Sequence, residues 1–138
     1  MKNKSIEIYV DGGARGNPGP AGVGVLILDG AGKKIKDISK YIGEATNNVA
    51  EYSALLYGLE EALILRADEL KINLDSELVV KQLNGEYRVK DVNLRPLFER
   101  ALNMLKSFKN FELNHIDRSK NKEADKLVNR AINLASLI

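Results

Sequence analysis

Four acidic residues stand where carboxylate chemistry could be done. Asp11 follows the alternating run Ile6, Ile8, Val10 and precedes Gly12-Gly13, which leave backbone room for a ligand. Asp75 follows the apolar run Leu70 to Leu74 and precedes Ser76. Glu51 lies three residues after Asn48, and Asp125 lies in the first turns of an amphipathic C-terminal segment. Most have a plain structural reading. Asp75 can be a helix N-cap or turn residue. Glu51 can complete a capping-box-like pattern with Asn48. Asp125 can simply complement a helix dipole. The sole histidine, His115, rules out a multi-histidine metal site. The lack of cysteine excludes disulfides, thiolate chemistry and cysteine-ligated zinc. Oxygen ligands are the metal chemistry that remains, which points to magnesium or manganese.

The elements that must position these residues read out of the hydrophobic pattern. Period-2 alternation predicts a first strand ending at Asp11, then a tight glycine-rich segment from Gly12 to Gly22. Val23 to Leu28 and roughly Lys33 to Ile42 predict two more strands, separated by the turn Asp29 to Gly32, so the three form an antiparallel meander. Apolar residues at helical spacing (Val49, Tyr52, Leu55, Leu56, Leu59, Leu63) predict a helix from Asn48 to about Arg66. Leu70 to Leu74 reads as a buried strand. Ser76 to about Leu83 and Leu94 to about Phe108 read as helices, with Pro96 in the first turn of the second. Phe111 to Ile116 predicts a fifth strand, in which alternation makes His115 a packed or groove-lining residue. Asn121 onward predicts a terminal helix with Leu127, Ala131, Leu134 and Ala135 on one side.

The resulting order, β-β-β-α-β-α-α-β-α, implies an α/β fold. Its sheet has five strands, three antiparallel plus two parallel, flanked by helices. Ligands in such sheets sit beyond the C-terminal ends of parallel strands, where both Asp11 and Asp75 fall. The 138 residues fit a single domain, 44% hydrophobic and 29% charged. A net charge of +2 and a pI near 8.8 leave any polyanion binding to local patches. No signal-peptide core and no membrane-spanning run is present in the sequence, and a cysteine-free chain suits the cytoplasm.

The motifs taken together resemble type 1 ribonuclease H. Tyr9-Val10-Asp11-Gly12-Gly13-Ala14-Arg15-Gly16-Asn17-Pro18-Gly19-Pro20-Ala21-Gly22 resembles that family's first-strand signature. Thr46-Asn47-Asn48 with Ala50-Glu51 resembles its second motif, Asp75-Ser76 its third, and Asn121 to Leu127 its fourth. The resemblance covers nearly the whole chain in the family's order. It implies the ribonuclease H-like fold and a metal-dependent endonuclease that cuts the RNA strand of RNA–DNA hybrids. Asp11, Glu51, Asp75 and Asp125 would hold two ions, Mg2+ or Mn2+, as a clamp on the reacting phosphate. Gly12, Asn17 and Asn48 would meet riboses and bases. Thr46 and Asn47, before a helix N-terminus, would meet a DNA phosphate. RNA–RNA duplexes are a further substrate the motifs leave open, and a monomer is the default at this size.

Two departures define a compact subtype. The stretch from Val79 to Arg95 is short and lacks the basic, aromatic extension of many relatives. The loop before the fourth motif, Asp117-Arg118-Ser119-Lys120, lacks their histidine. Arg118 is then the candidate to act there, through charge rather than proton transfer. The alternative reading is a non-catalytic hybrid-binding module of the same fold. Retention of all four acidic residues argues against it.

Overall fold

The computed structural model describes residues 4–138. Met1, Lys2 and Asn3 lie outside the described residues. The strands are β1 (Ser5–Ala14), β2 (Gly19–Asp29), β3 (Lys34–Ala45), β4 (Glu69–Leu74) and β5 (Asn110–His115). The helices are α1 (Asn47–Ile64), α2 (Glu77–Leu83), α3 (Arg95–Leu105) and α4 (Lys122–Ala135). A single 3-10 turn, Arg118–Lys120, precedes α4 and was not foreseen. The sheet order is β3-β2-β1-β4-β5, antiparallel among β1, β2 and β3, with β4 parallel to β1 and β5 parallel to β4. This is the mixed sheet expected from the sequence.

Each face of the sheet is covered differently. Ile8, Val10 and Val25 point toward α1, where Gly58 lets the helix approach closely. Tyr52, Leu55 and Leu59 fill this side with no solvent exposure. α1 is apolar over most of its surface because it lies between the sheet and α3. By strand alternation, Gly22 and Gly24 point to the opposite face. A Cβ at Gly24 would lie 2.1 Å from the Ala124 carbonyl oxygen, so α4 rests backbone to backbone on β2. The buried stripe of α4 is Ala124, Leu127, Val128, Ala131 and Ile132.

Three sequence expectations need correction. β1 does not end at Asp11. Its parallel pairing with β4 stops at Val10, but its antiparallel pairing with β2 continues to Ala14. Most of the glycine-rich segment is therefore strand, and only residues 15–18 turn the chain. Leu134 was expected on the packed side of the last helix but is 52% exposed, at the border of the buried stripe. His115 is exposed rather than packed, because β5 is an edge strand. No helix among the described residues is long and apolar enough to cross a membrane.

Candidate active site

Asp11 sits where β1 parts from β4, and Asp75 follows the last residue of β4, so two adjacent strand ends present carboxylates side by side. Glu51 comes from the second turn of α1. α1 is held against β1 at Gly12, where an added Cβ would lie 2.0 Å from the Ala50 carbonyl oxygen. That close approach brings Glu51 to Asp11. One carboxylate oxygen from each of Asp11, Glu51 and Asp75 lies within 4.8 Å of the others. Asp125, in the first turn of α4, lines the same cleft of about 480 Å³ but is exposed and lies outside this trio.

The capping readings of Asp75 and Glu51 do not survive the geometry, whereas Asp125 does stand in the first turn of α4. Ser76, not Asp75, is the N-cap of α2, its hydroxyl accepting from the Val79 amide. Thr46 caps α1 by accepting from the Val49 amide, so Glu51 is two residues too late for a capping box. Neither side chain caps a helix, and both stand beside Asp11.

The trio's electrostatics favour a cation. Burial, then the charges of Asp75 and Asp125, hold the Asp11 carboxyl up at about 7. Burial, then the charges of Asp11 and Asp75, push Glu51 well above the usual carboxylate range. Two ionised carboxylates at this spacing repel by about 3–4 kcal/mol at an effective dielectric constant of about 20. The Glu51 Oε2 atom is buried with no hydrogen-bond partner. A buried acceptor without a donor is costly, and a hard cation is the partner that suits an all-oxygen site. The residues present therefore fit a divalent ion. A hollow of about 470 Å³ at the opposite end of the sheet, bordered by Glu7, Lys71 and Glu112, offers no such trio among the described residues.

The remaining sequence candidates surround this cleft in different roles. Gly12 is packed beneath it as the α1–β1 contact. Asn17 accepts from the Asn47 amide at 3.0 Å, and Asn47 Oδ1 accepts from the Ala14 amide at 2.9 Å. These bonds lock the β1–β2 turn to the start of α1. Asn48 is exposed on the cleft lining, and so is Arg118. Thr46 works as a cap. His115 does not line the cleft. Three polar residues were missed, two on the cleft lining and Asn121 buried behind Asp75. Asn129 donates to the Asp125 backbone oxygen at 3.2 Å and to its carboxylate at 3.4 Å. Arg15 donates to Asn129 Oδ1 at 3.4 Å. Asn121 donates to Asp75 Oδ2 at 3.1 Å. The i,i+4 spacing of Asp125 and Asn129 was the available signal for the first of these.

The architecture is that of the ribonuclease H-like fold, with its acidic cleft where β1 and β4 part. Residues 9–131 match the family described as "Reverse transcriptase-like". The chain is 41% identical over 127 residues to ribonuclease HI of Halobacterium salinarum, covering 92% of this chain and 64% of that protein. It is 32% identical over 143 residues to ribonuclease H of Pseudomonas entomophila, with 93% of each covered. The structure of LC11-RNase H1 in complex with an RNA/DNA hybrid matches with a TM-score of 0.88 and 47% identity, over 94% of this chain and 98% of that one. The chain thus spans slightly less than two thirds of the Halobacterium protein. It belongs to the type 1 ribonuclease H family, and the short α2–α3 connection makes it a compact member.

Proposed function

We propose that this chain is a metal-dependent endonuclease that hydrolyses the RNA strand of RNA–DNA hybrids by a two-metal mechanism. The observation that carries the reading is the trio Asp11, Glu51 and Asp75, with its unpartnered Glu51 oxygen. The hybrid seated on LC11-RNase H1, a relative 47% identical, supports the substrate. Asp11, Glu51, Asp75 and Asp125 would hold the cations, Mg2+ or Mn2+. When bound, such cations supply the positive charge that favours deprotonation of the attacking water and offsets charge on the leaving oxygen.

The chain's own residues do the rest. Two strand ends and a buried helix fix three carboxylates before substrate arrives, so little reorganisation is needed at the moment of reaction. Asn17 and Asn47 spend their carboxamide oxygens on backbone amides, which leaves their amide nitrogens as donors toward a 2′-hydroxyl or a base edge. Asn48 and the main chain at Gly12 border the same floor. Thr46 and Asn47 open α1, and that helix N-terminus suits a DNA phosphate. Arg118, on the rim, supplies a fixed positive charge beside the cut phosphate. RNA–RNA duplexes also present 2′-hydroxyls across a shallow minor groove and are included in the proposed substrate range. Residues 1–138 would act as one catalytic domain, as a monomer in the cytoplasm, a reducing compartment that suits a chain without cysteine.

The test is cleavage of end-labelled RNA–DNA, RNA–RNA and DNA–DNA duplexes, and of DNA carrying one ribonucleotide. Each is run with magnesium, manganese or chelator beside Asp75→Asn. Metal-dependent cutting of the hybrid's RNA strand, lost in Asp75→Asn, is the expected result. Hybrid that is bound but never cut would replace the enzyme with a binding module.

A further inference from the structure

Asn121 occupies the N-cap position of α4, yet its side chain makes no capping hydrogen bond. An asparagine at that position ordinarily accepts from an amide in the first turn. Here the side chain is turned away from the helix and is almost fully buried, at 1% exposure. Its Nδ2 donates to the Val10 carbonyl oxygen at 2.9 Å and to Asp75 Oδ2 at 3.1 Å. Both partners are acceptors, so the amide cannot be flipped without setting oxygen against oxygen. The cost of this orientation is visible: Asn121 Oδ1 is buried with no partner. The main chain of Asn121 extends the connection. Its amide donates to the Arg118 carbonyl at 3.0 Å, and its carbonyl accepts from the Asp125 amide at 3.1 Å.

One residue therefore touches the strand end beside Asp11, the Asp75 carboxylate, the turn carrying Arg118 and the helix turn carrying Asp125. We propose that Asn121 is a positioning residue that sets the spacing of the carboxylates by tying β1, Asp75 and α4 together at a single buried amide. The inference rests on the metal-site reading above. It assigns a role beyond the four acidic side chains, of the kind by which groups behind a metal's ligands fix ligand orientation. A helix cap alone would not leave its own acceptor orphaned while gripping a carboxylate on another element.

Asn121→Ala and Asn121→Ser separate the two roles. Serine caps helices as well as asparagine but is too short to span Val10 and Asp75. Calorimetric titration of the substrate-free protein with manganese is the primary readout. Both variants are expected to bind manganese about 10-fold or more weakly, the scale of lost support behind a ligand. Both should need correspondingly more metal for half-maximal cleavage, with an unchanged KM for hybrid. Leu105→Ala, in the buried face of α3, should lose stability and keep wild-type manganese affinity. Should Asn121→Ala fail to fold, the serine variant carries the test. Wild-type manganese affinity in Asn121→Ser would show that the buried amide does not set the carboxylates and would overturn the inference. A wild-type protein that binds no manganese would overturn the metal-site reading itself, and this inference with it.

Discussion

Asp11, Glu51 and Asp75 rise from two hydrogen-bonded strand ends and a buried helix, whereas Asp125 rides on α4, which meets the sheet across glycines. The first wall is the drier of the two, and its carboxylates are forced together: Asp11 is 8% exposed, Glu51 has a buried, unpartnered oxygen, and Asp75 is half-buried. The second wall is wet. Asp125 is exposed, and its carboxylate oxygen accepts from Asn129 one helical turn later. In the sequence each of the four motifs supplies one candidate ligand, and the four look equivalent. In the fold they are unequal, because repulsion grows with burial and proximity while solvent can substitute for an exposed ligand.

The sharpest break in this comparison is made on the dry wall. Asp11→Asn should lower kcat on the order of 10³-fold, as expected for loss of charge that holds a catalytic cation. The same change should stabilise the metal-free protein at neutral pH. The sign follows from the raised carboxyl. With Asp11 near 7 in the folded state, against about 3.8 when unperturbed, its contribution to stability is complete below pH about 4. That contribution is lost as pH rises through about 7, and Glu51 acts in the same direction. Thermal midpoints in chelator should therefore fall between about pH 4 and about pH 7 for wild type, fall less for Asp11→Asn, and recover with magnesium or manganese. A wild-type midpoint indifferent to both pH and metal would erase the distinction between the walls.

The seat of the wet wall comes next. Gly24→Ala would drive a Cβ to 2.1 Å from the Ala124 carbonyl oxygen, and α4 must shift. A loss of about 1–3 kcal/mol by denaturant titration is expected. At Gly13 the nearest atom to an added Cβ is Val128 Cγ1 at 3.7 Å, so Gly13→Ala should stay within about 0.5 kcal/mol of wild type. Equal losses at the two sites would mean that α4 is not held by backbone approach at β2.

Smaller again is the effect of the exposed carboxylate. Asp125→Asn should cost about tenfold in kcat, far less than Asp11→Asn, since water and Asn129 can cover part of its role. Smallest is the rim: Arg118→Ala should lower turnover severalfold, while His115→Ala, off the cleft, should change it less than twofold. The reverse order for this pair would return the loop function to the histidine.

Much of this arrangement can be read from residue spacing. α1 was legible because its apolar residues recur at helical spacing, and the two parallel strands followed from the alternating order of strands and helices after the meander. The extent of β1 was not legible, because Gly12 and Gly13 read as turn chemistry. Their use is close packing: Gly12 admits the backbone of α1, and the strand goes on pairing with β2. His115 was misread because alternation identifies a face but not whether any layer covers it. Nothing in the sequence singles out Asn121, since asparagine is common where a helix begins. Only its contacts reveal that the side chain serves Asp75 instead. The ligand trio itself was reached through the resemblance of four motifs, since each acidic residue alone had an adequate structural reading.

The most direct test of the two-wall account is anomalous diffraction from crystals soaked in manganese chloride without substrate. The account predicts a peak bounded by Asp11, Glu51 and Asp75, with ligand oxygens about 2.0–2.6 Å away, the range for hard divalent cations. Asp125 should be outside direct contact with that first ion. A peak centred on Asp125 and α4, or none in the cleft while the soaked protein still cuts hybrid, would contradict it.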